Sequence, residues 1–135
     1  MKYFSISELS RTNTGLQNIP TPEAQKNLVE LIEEVLDPLR EMYGAPIRVN
    51  SGYRSPMVNA RIKGSKTSQH MKGQAADITA GSKKENKRLF DIISAALDYD
   101  QLINEADYSW IHVSYAGKEN RYSRIAMVNG DYFKV

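Results

Sequence analysis

Cysteine is absent from the 135-residue sequence, and histidine occurs only 2 times. Without cysteine the chain cannot form disulfides, use a thiol nucleophile or bind a metal through thiolates. Any metal site must therefore use oxygen and imidazole ligands. The sequence also lacks an apolar run near the ~20 residues that a membrane-spanning helix needs. Its N-terminal segment lacks the continuous apolar stretch of a secretory signal, so we expect cytoplasmic synthesis and no membrane partner.

A strong excess of charge of either sign is missing as well. Lys and Arg total 18 against 16 acidic residues, a formal net charge of +2. Proteins that bind nucleic acids usually carry a clustered basic stripe. The densest basic group here, residues 83–88, is interrupted by Glu85 and fits a solvated helix face. We therefore expect no nucleic-acid partner.

The length and the ordinary composition predict one domain over residues 1–135. Hydrophobic residues make up 41% of the chain and charged residues 25%, as in a typical globular protein. A chain of this length can bury a core without a disulfide or a structural metal. We expect a monomer.

Helices are predicted where apolar residues recur at spacings of three and four. One such stretch covers roughly residues 22–43, with Pro38 placed to bend it, and another covers residues 82–97. Residues 56–61 can form one or two helical turns. The first twenty residues have no clear period, so an irregular segment is expected there.

Strands are predicted in the remaining segments. Residues 47–50 are predicted to form a short strand that ends at Ser51-Gly52, and residues 75–79 a buried strand. Residues 101–105 and 110–115 are predicted to form a hairpin across a polar link. A further pair is predicted around Asn129-Gly130, a favoured hairpin turn. Together the elements predict an α+β fold, with helices packed on a small antiparallel sheet.

Both histidines and one aspartate are candidates for a metal site. His112 lies in an alternating pattern that places Trp110, His112 and Ser114 on one strand face. With His70 and Asp77 it would give two imidazoles and a carboxylate, a set that suits catalytic zinc with a fourth position open. However, a lone histidine is more often a surface or hydrogen-bonded residue, and a lone aspartate at a strand end is more often a cap.

Three motifs resemble those of the M15 family of zinc peptidases. They are SGYRS at residues 51–55, SQHMKGQAADI at residues 68–78 and WIHVS at residues 110–114. The family includes D-alanyl-D-alanine carboxypeptidases, dipeptidases and phage endolysins, and the sequence is most similar to its small, single-domain, phage-type branch. The combination is far more specific than any one motif alone.

The resemblance implies a single zinc peptidase-like domain of the hedgehog/DD-peptidase-like fold, with Zn²⁺ held by His70, Asp77 and His112. It also implies that Arg54 lies beside the metal, where a guanidinium can hold a substrate carboxylate or a developing oxyanion. A salt bridge that fixes the loop is the alternative role for Arg54. The implied partners are peptidoglycan stem peptides, and a phage-type protein would act on the cell wall after release.

The sequence departs from the family at Ser109. Many relatives carry an acidic general base three residues before the last histidine, and a serine hydroxyl cannot replace it near neutral pH. Glu105 is the best substitute, because in the predicted hairpin it falls diagonally beside His112 on the same face. A register slip of one residue would turn Glu105 outward as a surface charge, which leaves Asp107 in the turn as the reserve candidate.

Two functional hypotheses follow. The first is a zinc-dependent carboxypeptidase or endopeptidase that cleaves D-amino-acid-containing peptide bonds of peptidoglycan, with Glu105 and Arg54 as catalytic residues. The second is a non-catalytic cell-wall-binding or phage structural module that retains the metal fold and has lost the base. The position of Glu105 separates them, because a general base must lie within hydrogen-bond reach of the attacking water.

Overall fold

Six strands form one mixed sheet in the computed structural model, which describes residues 1–135. Their order across the sheet is β1-β2-β4-β3-β5-β6. The strands are β1 (Arg48–Ser51), β2 (Ala75–Thr79), β3 (Gln101–Glu105), β4 (Trp110–Ser114), β5 (Ser123–Val128) and β6 (Asp131–Lys134).

The α+β class is confirmed, but the sheet differs from the predicted antiparallel one at a single pair. Strands β3 and β5 run parallel, whereas the other neighbours run antiparallel. Both predicted hairpins, β3–β4 and β5–β6, are present. The parallel pair joins strands that are not consecutive in the chain, so the local pattern that predicts each hairpin does not reveal it.

Four helices accompany the sheet. They are α1 (Ile6–Leu9), α2 (the consecutive segments Pro22–Leu31, Ile32–Leu36 and Asp37–Tyr43), α3 (Pro56–Arg61) and α4 (Lys83–Ala96). Short 3₁₀ turns occupy Gln69–Lys72 and Gly117–Glu119. No helix in the structure combines the length and the apolar character that crossing a bilayer requires.

The long helix α2 has the limits that the sequence predicts. The Thr21 hydroxyl accepts a hydrogen bond from the Ala24 amide at 3.1 Å, and Gly44 ends the helix with a φ of 80°. In place of the bend predicted at Pro38, a π-helical segment, Ile32–Leu36, ends two residues before that proline. A wider turn there suits a residue that has no amide hydrogen and crowds the preceding turn.

The hydrophobic core lies between the helices and one face of the sheet. From α2 it takes Leu28, Leu31, Ile32, Val35, Leu36 and Leu39, and from α4 Leu89, Phe90 and Ile93. The sheet contributes Val49, Ala76, Ile78, Leu102, Ile111 and Val113. The opposite face of the sheet is therefore free for polar side chains.

The N-terminal region contains a helix where the sequence predicted an irregular segment. Ser5 caps α1 by accepting a hydrogen bond from the Glu8 amide at 3.1 Å, and Leu9 is fully buried. One turn of helix is too short to show a period, which is why the prediction was wrong. The Leu9 carbonyl packs so closely against Gly52 that a β-carbon at Gly52 would clash with it. This contact fixes the loop after β1.

Candidate active site

The three side chains predicted as metal ligands converge on the open face of the sheet. Asp77 on β2 and His112 on β4 are directly paired across adjacent antiparallel strands. His70 approaches from the 3₁₀ turn that precedes β2. One potential ligand atom from each of the three residues lies within 4.8 Å of the others.

The local structure around His70 fixes the orientation of its ring. The Ser68 hydroxyl caps the turn by accepting a hydrogen bond from the His70 amide at 3.1 Å, and Gly73 ends the turn with a φ of 73°. The ring Nδ1 lies 2.7 Å from the carbonyl oxygen of Gly52. Because a carbonyl oxygen can only accept, Nδ1 carries the proton, and Nε2 keeps its lone pair for a metal. His70 itself is 3% exposed.

The carboxylate of Asp77 is the common partner in this group. Its Oδ1 lies 3.0 Å from His112 Nδ1 and 3.4 Å from His70 Nε2. Burial acts to raise the pKa of Asp77, but its contacts with the side chains of His112 and His70 outweigh burial and hold that pKa well below its usual range. The site therefore offers an ionised carboxylate and two imidazoles, a donor set that fits Zn²⁺.

Arg54 lies beside the metal-binding group and is held on three sides. Its Nη2 donates to Asp77 Oδ2 at 3.3 Å, its Nε to Ser51 Oγ at 3.0 Å, and its Nη1 to Asn59 Oδ1 at 3.4 Å. Gly64 backs this arrangement, because a β-carbon there would clash with the Asn59 side chain. Both roles considered for Arg54 are thus compatible: the ion pair fixes its loop, and the guanidinium lines the site cavity.

Glu105 has the register that the hairpin pattern predicts. It is paired with Trp110, and Ile103 is paired with His112, so Glu105 lies diagonally beside His112 on the site face. Glu105 is 8% exposed and lines the same cavity as the metal-binding group. Burial raises the pKa of Glu105, the negative charge of Asp77 raises it further, and His112 opposes the change. A raised pKa makes this carboxylate a better proton acceptor.

Asp107, the reserve candidate for the base, and Ser109, which occupies the position of the family's acidic residue, both lie outside the cavity. Asp107 is in the hairpin turn, where its carboxylate pairs with Lys83 at 3.7 Å and its side chain is 77% exposed. The Ser109 hydroxyl donates to the Ala106 carbonyl at 2.6 Å. Of the two carboxylates predicted as candidate bases, only Glu105 lines the cavity.

The cavity also contains residues that the sequence did not reveal. Its volume is about 510 Å³. Gln101, Arg121 and Tyr132 line it although none was predicted as a site residue. Arg121 and Tyr132 reach it through the parallel pairing of β3 with β5, and no signal in the sequence indicates that pairing.

A buried carboxylate, Asp100, supports the loop that carries His70. It accepts two hydrogen bonds from the Arg121 guanidinium, at 2.9 and 2.8 Å, and one from the Gln69 amide group at 2.8 Å. The Arg121 side chain is the main reason that the pKa of Asp100 is lowered. Gln69 directly precedes His70, so this network helps to hold the turn in place.

Comparison with known proteins agrees with the geometry. A family model described as Peptidase M15 matches residues 2–114. The zinc D-Ala-D-Ala carboxypeptidase of Streptomyces albus G is 33% identical over 81 residues, which are 58% of this chain and 32% of that protein. The chain thus spans about a third of the length of this relative. The similarity, together with the metal-binding group, supports the Zn²⁺ that the sequence predicts. The matched region includes all three motifs and the metal-binding group, and the chain belongs to the M15 peptidase family.

Proposed function

We propose that the chain is a zinc peptidase that hydrolyses D-amino-acid-containing peptide bonds of bacterial peptidoglycan. The observation that carries the proposal is the placement of Glu105 in one cavity with His70, Asp77 and His112. A buried carboxylate beside a set of metal ligands is what a hydrolytic metal site needs as its general base.

His70, Asp77 and His112 would hold the metal through two imidazoles and one carboxylate. Zinc held there would supply the polarisation of the scissile carbonyl and the activation of water that amide hydrolysis at neutral pH requires. The hydrogen bond from His70 to the Gly52 carbonyl sets the tautomer that can bind, and Arg54 orients the Asp77 carboxylate. These contacts place the ligands before any substrate arrives.

Glu105 would carry the proton in both halves of the reaction. Its carboxylate takes a proton from the attacking water as the new C–O bond forms. It then gives that proton to the nitrogen as the C–N bond breaks, which releases an amine and a carboxylic acid. The raised pKa of Glu105 suits both steps. A carboxylate with a higher pKa accepts a proton more readily, and its protonated form is more populated near neutral pH, where it can donate that proton to the nitrogen.

Arg54 would bind the oxygen that gains negative charge, or a carboxylate of the substrate. Three of its N–H groups are used by Ser51, Asn59 and Asp77, which hold the guanidinium without covering it completely. A preorganised cation stabilises developing charge more than a mobile one, because no reorganisation is needed during the reaction.

The narrower parts of the proposal have separate support. Specificity for D-amino acids is suggested by the relative from Streptomyces albus G, which is named a zinc D-Ala-D-Ala carboxypeptidase. The similarity of the motifs to the small phage-type branch supports a phage endolysin-type role. In that role the protein is made in the cytoplasm and acts on the cell wall after release.

The decisive experiment combines metal analysis with digestion of defined muropeptides that contain D-Ala-D-Ala ends and cross-links. We expect one zinc per chain and cleavage products that mass spectrometry assigns to a single bond type. Release of terminal D-Ala would identify a carboxypeptidase, and cleavage within a stem or a cross-link an endopeptidase. A fully zinc-loaded protein that cleaves nothing but sediments with peptidoglycan would establish the binding module instead.

A further inference from the structure

The C-terminal hairpin of β5 and β6 forms part of the site, although it lies beyond residues 2–114, which match the family model. Glu105 on β3 is paired with Met127 on β5, and Met127 is paired with Tyr132 on β6. Directly paired residues on neighbouring strands point to the same side of a sheet. Glu105, Met127 and Tyr132 therefore form a row on the site face.

Tyr132 completes one end of the cavity. It lines the cavity together with Glu105 and His112, and it is 59% exposed, so its ring is accessible from solvent. Arg54, at the other end, follows β1, whereas Tyr132 lies on β6, and these two strands are the opposite edges of the sheet. The cleft therefore runs across the strands, with the metal-binding group between Arg54 and Tyr132.

The position of Glu105 assigns a direction to a substrate in this cleft. In the proposed function Glu105 passes its proton to the leaving nitrogen, so the part of the substrate that leaves as an amine must lie on the Glu105 side. Tyr132 is on that side, beyond Glu105 and Met127 in the strand order. Arg54 is on the side of the acyl portion, a position that fits its role at the developing oxyanion and not at the carboxylate of the leaving residue.

We propose that Tyr132 is a substrate-binding residue that contacts the amino acid on the amine side of the scissile bond. This inference rests on the proposed peptidase function and deepens it. The ring offers a flat apolar face to a small side chain such as that of alanine, and the hydroxyl can donate to a carbonyl or carboxylate oxygen of the same residue.

The charges around Tyr132 favour the donor form of its hydroxyl. Partial burial raises the pKa of Tyr132, and the negative charges of Glu105 and Asp77 raise it further. A tyrosine phenol is already protonated at neutral pH at its ordinary pKa of about 10, so the Tyr132 hydroxyl can donate a hydrogen bond. A phenolate at this position would instead repel the carboxylate of a peptide end.

A binding experiment tests the inference without turnover. Zinc-loaded Glu105→Gln protein is sedimented with purified peptidoglycan sacculi, which display stem peptides and cross-links, and the bound fraction gives an apparent affinity. We expect Tyr132→Ala in this background to weaken binding about tenfold, the loss typical when one aromatic side chain that contributes moderately to binding is truncated. Tyr132→Thr, which keeps a high strand propensity, should weaken it to a similar extent.

Phe133→Ala is the matched control. Phe133 is the next residue on β6, is 54% exposed and points to the opposite face of the sheet. The Phe133→Ala variant, made in the same Glu105→Gln background, should bind sacculi as well as the Glu105→Gln parent does. Equal binding by the Tyr132 variants would overturn the inference and leave the proposed function intact, whereas a parent that does not sediment at all would overturn both.

Kinetics on the cleaved bond provide the second readout. In the otherwise unchanged protein, Tyr132→Ala should raise KM about tenfold, with kcat within about twofold and one zinc per chain. The increase in KM should depend on the amino acid after the cleaved bond and not on the amino acid before it. Synthetic stem peptides that differ at one of these positions allow this comparison. A loss confined to kcat, or one that follows the acyl residue, would contradict the assignment.

Discussion

The two faces of the sheet use the same strands for different purposes. On β2, Ala76 and Ile78 are fully buried against the helices, while Asp77 between them points to the cavity. On β4, Ile111 and Val113 are likewise buried, while His112 between them is a candidate ligand. Each strand-borne ligand thus has a core residue on either side. The core holds the ligand in place, and the ligand contributes little to the core.

The energetics of the two faces differ accordingly. Each large apolar side chain of the core, such as Leu or Ile, contributes ~1.5–3 kcal/mol through removal from water. The site face buries polar groups and charges, which costs free energy unless they are paired. The ion pair of Arg54 with Asp77 and the hydrogen bond from His70 to Gly52 offset part of that cost. Function and stability should therefore be separable by mutation.

The largest effect is expected from removal of one metal ligand. His70→Ala should abolish stoichiometric zinc binding and with it peptidase activity, because two remaining ligands bind zinc weakly. The circular dichroism spectrum should stay native, since the core does not include His70. Zinc is measured by elemental analysis after dialysis. Lys72→Ala, an exposed change in the same 3₁₀ turn, is the control and should keep one zinc. A His70→Ala protein that retains one zinc at wild-type affinity would show that the ligand set is wrong.

Removal of the general base should have the next largest effect. Glu105→Gln keeps the shape of the side chain but cannot accept a proton, so kcat should fall ~10²–10⁴-fold while zinc and fold persist. Asp107→Asn and Ser109→Ala are the controls and should change kcat little, because both residues lie outside the cavity. Near-wild-type activity of Glu105→Gln would rule out this carboxylate as the base.

The position of Glu105 shows which parts of the site the sequence can predict. A strand alternates with a period of two, so a hairpin with a known turn places every side chain on one face or the other. The pairings of Glu105 with Trp110 and of Ile103 with His112 follow from that rule and agree with the structure. The long amphipathic helices were predictable for the same reason, since their period is long enough to read.

Long-range neighbours are what the sequence does not reveal. Tyr132 reaches the cavity only because β5 lies parallel to β3, and no local pattern encodes that choice. The contact of Asp100 with Arg121 and Gln69 depends on the same arrangement. Family motifs did not help, because residues 115–135 lie outside the matched region.

A change on the core face should lower the stability of the fold and leave zinc binding and activity largely unchanged, the reverse of a change on the site face. Ile111 is fully buried beside His112, and Ile111→Ala should lower the free energy of unfolding by ~2–5 kcal/mol through lost contacts and a cavity. The folded fraction should still bind one zinc and retain most of its kcat. Urea denaturation at constant zinc gives the stability, and activity per folded molecule gives the comparison. Loss of zinc by molecules that remain folded would show that the two faces are coupled.

Arg54→Lys should have a smaller effect on the site face. Lysine keeps the charge beside Asp77 but lacks the fixed fork that also engages Ser51 and Asn59. We expect kcat/KM to fall ~10-fold, the size of one charge-assisted hydrogen bond, with zinc stoichiometry unchanged. Arg48→Lys, an exposed position on β1, is the control and should leave the kinetics unchanged. Unchanged kinetics in Arg54→Lys would reduce Arg54 to a structural residue.

Metal removal should have the smallest effect on the fold itself. Chelation at room temperature should leave the helical circular dichroism signal intact, because α2 and α4 pack on the sheet without contribution from the metal ligands. This contrasts with small zinc modules, which unfold without metal. The melting temperature should still fall by a few degrees, since a ligand that binds only the folded state stabilises it. His70→Ala is the matched control: the chelator should not shift its melting temperature. Loss of the native signal on chelation would mean that the metal holds the two faces together, and the separation of core from site would fail.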